Sequence, residues 1–271
     1  MRYLVGGQGP ALVLCHGFLG SAENFATWFD ELAAVRTLVI PDLPGCGDST
    51  PLRDSAHTSR PLARAVAAVI DDAGVERFEV GALCLGTSVA MALVRDRPGA
   101  VSRLVLHTPL LAPSLVRRSF HRQVRGMMAP LIFPAIVWLS KRRLVSDLYK
   151  RRVVEGDNID AAAAEANFRN QVRADPRALR EWLLHGLSRN DLALLRRCAL
   201  PTLIIVASDD RIVDVDALHE AVATIPSVSV VAVDDAGHGW TERYVRRQLD
   251  VITAFLGDRP LPVTAEIAGA A

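Results

Sequence analysis

Cys84 stands at the centre of the pattern small, any, nucleophile, any, small: Ala82, Leu83, Cys84, Leu85, Gly86. Much later, Asp209 and Asp210 follow the apolar run LIIVAS, and His238 lies between Gly237 and Gly239. A thiol, a carboxylate and an imidazole are the parts of nucleophilic catalysis. The sulfur attacks a carbonyl, the imidazole moves the proton, and the carboxylate orients the imidazole. Each residue also has an ordinary reading. Free cysteine is among the most buried residue types and can simply begin a helix. An aspartate pair after a strand commonly makes a turn or a helix cap, and a histidine between glycines commonly belongs to a surface loop. Order favours chemistry: the thiol follows a middle strand, the acid a later one and the histidine the last.

The elements that must hold these groups can be traced along the chain. Around Cys84, Phe78, Val80, Ala82 and Leu83 form an apolar strand, and Leu85, Val89, Ala90, Leu93 and Val94 then recur at helical spacing. So tight a strand-to-helix turn strains the central residue and needs small neighbours two positions away on each side. Upstream, the strand 11–15 runs into a glycine-rich turn, His16 to Ser21, where backbone N–H groups can be left free. A helix over 24–34 follows, then a strand over 37–43 running into PGCGDS. Next come an amphipathic helix over 58–73 with Gly74 as C-cap, the central strand and helix, and a strand over 102–107. After 200 the pattern resumes with a strand in 201–210, a helix over 215–223, a strand over 227–233 and a last helix over 241–256. Alternation with continuous apolar strands predicts an α/β fold, a mostly parallel sheet with helices on both faces. Only about one short strand is expected ahead of His16.

Between Leu110 and Arg197 the alternation stops, leaving helical stretches, prolines and no convincing strand. The expected organisation is a core of 1–109 and 198–271 with an inserted helical cap, 110–197. Charge divides similarly. Residues 110–200 carry 17 Lys+Arg against 8 Asp+Glu, and the remainder 14 against 22, within a net charge of +1. Half of the 271 residues are hydrophobic, enough for a substantial core. No apolar run reaches the ~20 residues of a membrane span, and no signal-peptide segment opens the chain, so a soluble cytoplasmic protein is expected. Cys15, Cys46, Cys84 and Cys198 are too widely spaced to suggest a disulfide framework or a zinc site.

Five stretches, LVLCHGFLGS (12–21), PDLPGCGDS (41–49), VGALCLGTS (80–88), PTLIIVASDDRIV (201–213) and DDAGHGWTER (234–243), resemble in composition and order the stations of the alpha/beta-hydrolase superfamily over about residues 10–256. The resemblance implies a triad and an oxyanion hole. By position the nucleophile falls on Cys84, the base on His238 and the acid on Asp210, with Asp209 the competing assignment. The backbone N–H groups of Phe18 and Leu85 fall on the oxyanion donors. The elbow usually carries serine; cysteine elbows occur in dienelactone-hydrolase-like enzymes and polyester synthases. Ala82 replaces the first glycine of the motif, and Asp214 the proline usual after the acid loop. HGFLGS also resembles carbon-carbon lyases and hydrolases of the superfamily, though their elbow carries serine. Ser88, one helical turn on, would point away. Cys15 and Cys46 are expected near the same mouth.

A thiol at a helix N-terminus beside an imidazole is stabilised as thiolate. The expected function is therefore hydrolysis of an ester or thioester through a Cys-His-Asp triad and an acyl-enzyme. Acyl transfer or cyclisation of a carrier-bound chain, and a non-catalytic binding role, are the alternatives. No metal or organic cofactor is called for. Between Arg117 and Arg152 ten basic residues and one acid, Asp147, flank the apolar stretch 127–139. This reads either as a cap helix with a solvated basic rim or as an apolar acyl tunnel. The basic entrance of such a tunnel would attract coenzyme A, an acyl-carrier protein or an anionic lipid surface, without a membrane span. Nucleic acid is not expected, since no aromatic interleaving accompanies the arginines.

Overall fold

The computed structural model describes residues 1–149, 151–152, 161–234, 237–238 and 242–262. Outside them lie 150 and 153–160 of the expected cap, 235–236 and 239–241 of the stretch DDAGHGWTER, Gly239 and the start of the expected last helix included, and 263–271 of the expected core.

Seven strands form one sheet in the order β1-β3-β2-β4-β5-β6-β7. They are β1 (Tyr3–Gly7), β2 (Ala11–Cys15), β3 (Thr37–Pro41), β4 (Phe78–Leu83), β5 (Val101–His107), β6 (Thr202–Ala207) and β7 (Val228–Val233). All neighbouring pairs are parallel except β1 with β3, which runs antiparallel from Tyr3↔Pro41 to Gly7↔Thr37. Two strands thus precede His16, not the single one expected. β1 reads poorly as a strand because, at the sheet edge, none of its residues is fully buried and it ends in two glycines, so it lacks the apolar run of a covered strand. Every residue of β4 and β6 is buried, as a strand covered on both faces requires.

The helices divide between the faces. α1 (Ala26–Ala33) and α11 (Glu242–Leu256) pack on one side, with Phe25, Trp28, Leu32 and Leu249 against Leu12, Leu38 and Ile205. α2 (Ser59–Asp72), α3 (Thr87–Asp96) and α10 (Val215–Val222) pack on the other, with Val66, Ile70, Val89 and Leu218 over Val13, Val80 and Ile204. The helix expected over 24–34 begins as a 3-10 turn, Ala22–Phe25, closed by a capping box. The Glu23 N–H donates to Ser21 Oγ, and the Ser21 N–H to Asn24 Oδ1. A buried ion pair joins the turn before β3 to β4, with Arg36 Nε donating to Glu79 Oε2 at 2.6 Å and Arg36 Nη2 to the Leu256 carbonyl at 2.5 Å.

Between β5 and β6 the chain folds into α4 (Arg118–Met127), α5 (Phe133–Ser140), α6 (Arg143–Tyr149), α7 (Ala161–Arg173), α8 (Pro176–Ser188) and α9 (Leu192–Cys198). α8 ties this segment to the sheet layer. Trp182 is buried and its indole N–H donates to Ser88 Oγ at 3.0 Å, while Glu181 Oε2 accepts the backbone N–H of His57 at 2.8 Å and meets its Nδ1 at 2.9 Å. No helix among the described residues is long and apolar enough to cross a membrane.

Candidate active site

β4 ends at Leu83, and the chain turns through a 3-10 turn, Cys84–Gly86, into α3. Cys84 sits at φ +47°, a left-handed conformation that costs a non-glycine residue ~1–2 kcal/mol. The neighbouring loop makes the turn this tight. A Cβ on Gly86 would lie 2.5 Å from the His16 carbonyl oxygen and 2.7 Å from that of Cys15, and backbone cannot yield as a side-chain tip can. The half-buried thiol is thereby presented at the carboxyl end of the sheet, where open α/β sheets carry their sites.

Asp210 and His238 meet at the same end. Asp210 is buried and Asp209, one residue earlier, is exposed. Asp210 Oδ1 accepts the N–H groups of Ile212 (2.7 Å) and Val213 (2.8 Å), and Oδ2 faces His238 Nδ1 at 2.8 Å. Burial pushes the Asp210 carboxyl up, but the imidazole and these bonds hold it below the ordinary range. Burial likewise opposes the charged form of His238, yet the Asp210 carboxylate, then Cys84, raise its pKa well above the ordinary 6.5. The other nitrogen, Nε2, is buried without a formed hydrogen bond among the described residues. It borders the same cavity as Cys84.

Phe18 and Leu85 line that cavity too. Leu85 is the second residue of a helical turn, where the ladder leaves N–H groups without helical acceptors. The Phe18 N–H donates to no described group. His16 holds this loop: its Nδ1 meets the Gly17 carbonyl at 2.9 Å and its Nε2 accepts the Leu43 N–H at 2.9 Å. Burial lowers the His16 pKa, keeping the neutral ring this bonding needs. Asp42 joins the two glycine-containing turns, accepting the N–H of Ala22 at 2.7 Å and of Asp48 at 3.0 Å.

Other groups at the site carried no sequence signal. His107, at the end of β5, is buried and lines the cavity; its pKa is pushed down to about 3 by burial and by His238. Its Nε2 lies 2.8 Å from the amide nitrogen of the buried Gln248, and its Nδ1 3.2 Å from Thr108 Oγ1. His107 closes an apolar strand and Gln248 lies in the middle of α11, and nothing in either pattern separates them from packing residues.

Cys15 and Cys46 are not at the mouth. Both are buried in the core, outside the cavity lining, and burial pushes each thiol up to about 12. Alternation along β2 turns Cys15 into the helix-covered layer with Val13. Ser88 is turned toward Trp182. Asp214, in the place of a proline, caps α10 by accepting the Ala217 N–H at 3.3 Å.

The cavity has a volume of about 320 Å³. Its floor carries Cys84, His238 and the Gly17–Phe18 loop, and its walls come largely from the helical segment, among them Phe120, Met127, Phe133, Ile136 and Leu179. An apolar chamber over a few convergent polar groups suits a substrate with an apolar body and one polar reacting bond.

Known proteins resemble this chain in sequence and in fold. The chain is 28% identical over 248 residues to the dihydrolipoyllysine-residue acetyltransferase component of the acetoin cleaving system of Cupriavidus necator, matching 88% of this chain but spanning only 61% of that protein. It is 24% identical to a 2-hydroxy-6-oxononadienedioate/2-hydroxy-6-oxononatrienedioate hydrolase of Cupriavidus pinatubonensis, over 93% of this chain and 89% of that one. Among solved structures, a thermophilic esterase from Thermogutta terrifontis superposes with a TM-score of 0.79 at 20% identity, covering 95% of this chain and 93% of the esterase. The alpha/beta hydrolase fold family matches residues 10–239, and with its sheet order and strand-to-helix turn the chain belongs to that family.

Proposed function

We propose that this protein hydrolyses an ester or thioester of an apolar acyl group, with Cys84 as nucleophile, His238 as base and acid, and Asp210 as the carboxylate that orients it. The observation that carries the reading is one cavity bordered by a strained thiol at φ +47° and an imidazole held by a buried carboxylate at 2.8 Å. The sulfur attacks the carbonyl carbon, and His238 Nε2 holds the thiol proton. The oxyanion is received by the N–H groups of Phe18 and Leu85, each worth ~3 kcal/mol of barrier in comparable sites. Collapse expels the alcohol or thiol, which takes the proton from His238. Water then gives a proton to His238 and attacks the thioester, releasing the acid and restoring the thiol. A histidine whose basicity is raised by a buried carboxylate suits the taking and returning of that proton. In this reading residues 110–197 act as a cap that excludes water from the acyl chamber.

Intact-protein mass after brief mixing with a panel of acyl thioesters tests the assignment. An acyl adduct on the wild type and none on Cys84→Ala is expected, decaying at a rate insensitive to added amine. Equal labelling of both proteins would remove Cys84 from the mechanism, and amine-accelerated decay would make the enzyme a transferase.

A further inference from the structure

Helix α5, FPAIVWLS, is apolar almost all the way round, yet none of its residues is fully buried. Such a helix needs cover on every side. On one side Phe133, Ile136 and Val137 line the cavity. On the other, Trp138 is 58% exposed; the preceding Leu131 is 96% exposed, and Leu144 and Leu148 on α6 are 86% and 56% exposed. Single exposed apolar residues are ordinary, but a cluster on two packed helices marks an interaction surface. Side chains this exposed are protruding tips rather than walls of a groove. Lys141 and Arg142 stand exposed in the turn between the helices, ion-paired to no acid among the described residues, with the Arg142 guanidinium 4.5 Å from the Trp138 ring centre.

We propose that this face docks on an anionic phospholipid bilayer, with Leu131, Trp138 and Leu144 entering the acyl boundary and Lys141 and Arg142 at the headgroups. A bilayer accepts protruding tips without a matching groove, and its anionic surface complements the two cations. A second copy of the chain fits less well, because a two-fold contact pairs this patch with itself and so brings positive charge to positive charge. Leu139, Lys141 and Val145 are exposed and also line the cavity, so the chamber opens beside the docking face. The substrate class follows, resting on the hydrolase reading: esters dissolved in the bilayer, which reach Cys84 without crossing water.

Co-sedimentation with vesicles of phosphatidylcholine, or of equal parts phosphatidylcholine and phosphatidylglycerol, tests this with the wild type, Cys84→Ala and a triple variant, Leu131→Ser, Trp138→Ser and Leu144→Ser. The wild type and Cys84→Ala are expected to partition alike onto the anionic vesicles and to be released by salt. The triple variant, none of whose changes lines the cavity, is expected to lose at least about a hundredfold in partition while keeping wild-type turnover of a short soluble ester. Failure of the wild type to bind anionic vesicles, or wild-type binding by the triple variant, would overturn the proposal. So would a dimer that the triple change dissolves, since the face would then belong to a second copy. Vesicle binding by a wild type that turns over no ester would leave the docking standing and remove the hydrolase reading, so the two fail separately.

Discussion

Replacing Asp210 by Asn tests the core of the site with almost no change of shape. Asp210 Oδ1 serves the Ile212 and Val213 N–H groups and Oδ2 serves His238 Nδ1. An asparagine that keeps its oxygen on the two backbone donors turns its NH₂ toward Nδ1, donor to donor. The imidazole must then move its proton to Nε2, the nitrogen that takes the thiol proton in the proposed mechanism. The expected cost is a wrong-tautomer loss of about 10³–10⁴ in kcat, or ~4–5.5 kcal/mol of barrier, read as product release from a chromogenic ester. Stability should fall by ~1.5–3 kcal/mol, the contribution of a hydrogen bond to a charged group, and the pH dependence has a fixed sign. His238 has a raised pKa, so its contribution is complete below the ordinary 6.5 and is lost as pH rises through the raised value. Asp210 has a lowered pKa, so its contribution is complete above the ordinary 3.8 and is lost as pH falls through the lowered value. The gap between wild type and Asp210→Asn in chemical denaturation should therefore be widest between 3.8 and 6.5 and narrow on both sides. Near-wild-type kcat in Asp210→Asn with a large loss in Asp209→Asn would refute the assignment, and a gap that ignores pH would refute the electrostatics.

Three further outcomes follow from the same contacts. Gly86→Val should fail to fold or lose at least ~3 kcal/mol, because its Cβ would overlap the His16 and Cys15 carbonyls; thermal melting reads this directly. Cys84→Gly should be about 1 kcal/mol more stable than Cys84→Ala, since both lack the thiol and only glycine is unstrained at φ +47°; equal stabilities would mean the elbow stores no strain. Glu181, held down to about 2 against an ordinary 4.5, with His57 and Arg177 among its partners, should cost ~1–2 kcal/mol at neutral pH when changed to Gln, discounted for its partial exposure. That contribution is complete above 4.5 and is lost as pH falls toward about 2, so urea midpoints of variant and wild type should converge in acid.

The parallel sheet was legible in the sequence because buried strands must be apolar on both faces: 11–15 and 203–207 are continuous apolar runs, and in 78–83 the one charge, Glu79, is matched by Arg36. The elbow was legible because close packing of a strand end against a helix start admits only small residues at 82 and 86. The edge strand β1 was not, since one partner and open solvent impose no such pattern on Tyr3–Gly7. Side-chain direction was not legible either. Asp209 and Asp210 are chemically identical in the sequence, and only the turn after β6 sends one into solvent and the other onto His238. Cys15 shares the thiol chemistry of Cys84, but strand alternation sends it into the core, where burial suppresses its ionisation. His107, Thr108 and Gln248 meet only because β5 and α11 are brought together across more than a hundred residues of chain. Local sequence thus determined which backbone elements form and which positions must be small. The long-range packing of the sheet and the helical segment decided which polar groups meet inside the cavity and which apolar residues of α5 and α6 were left facing outward.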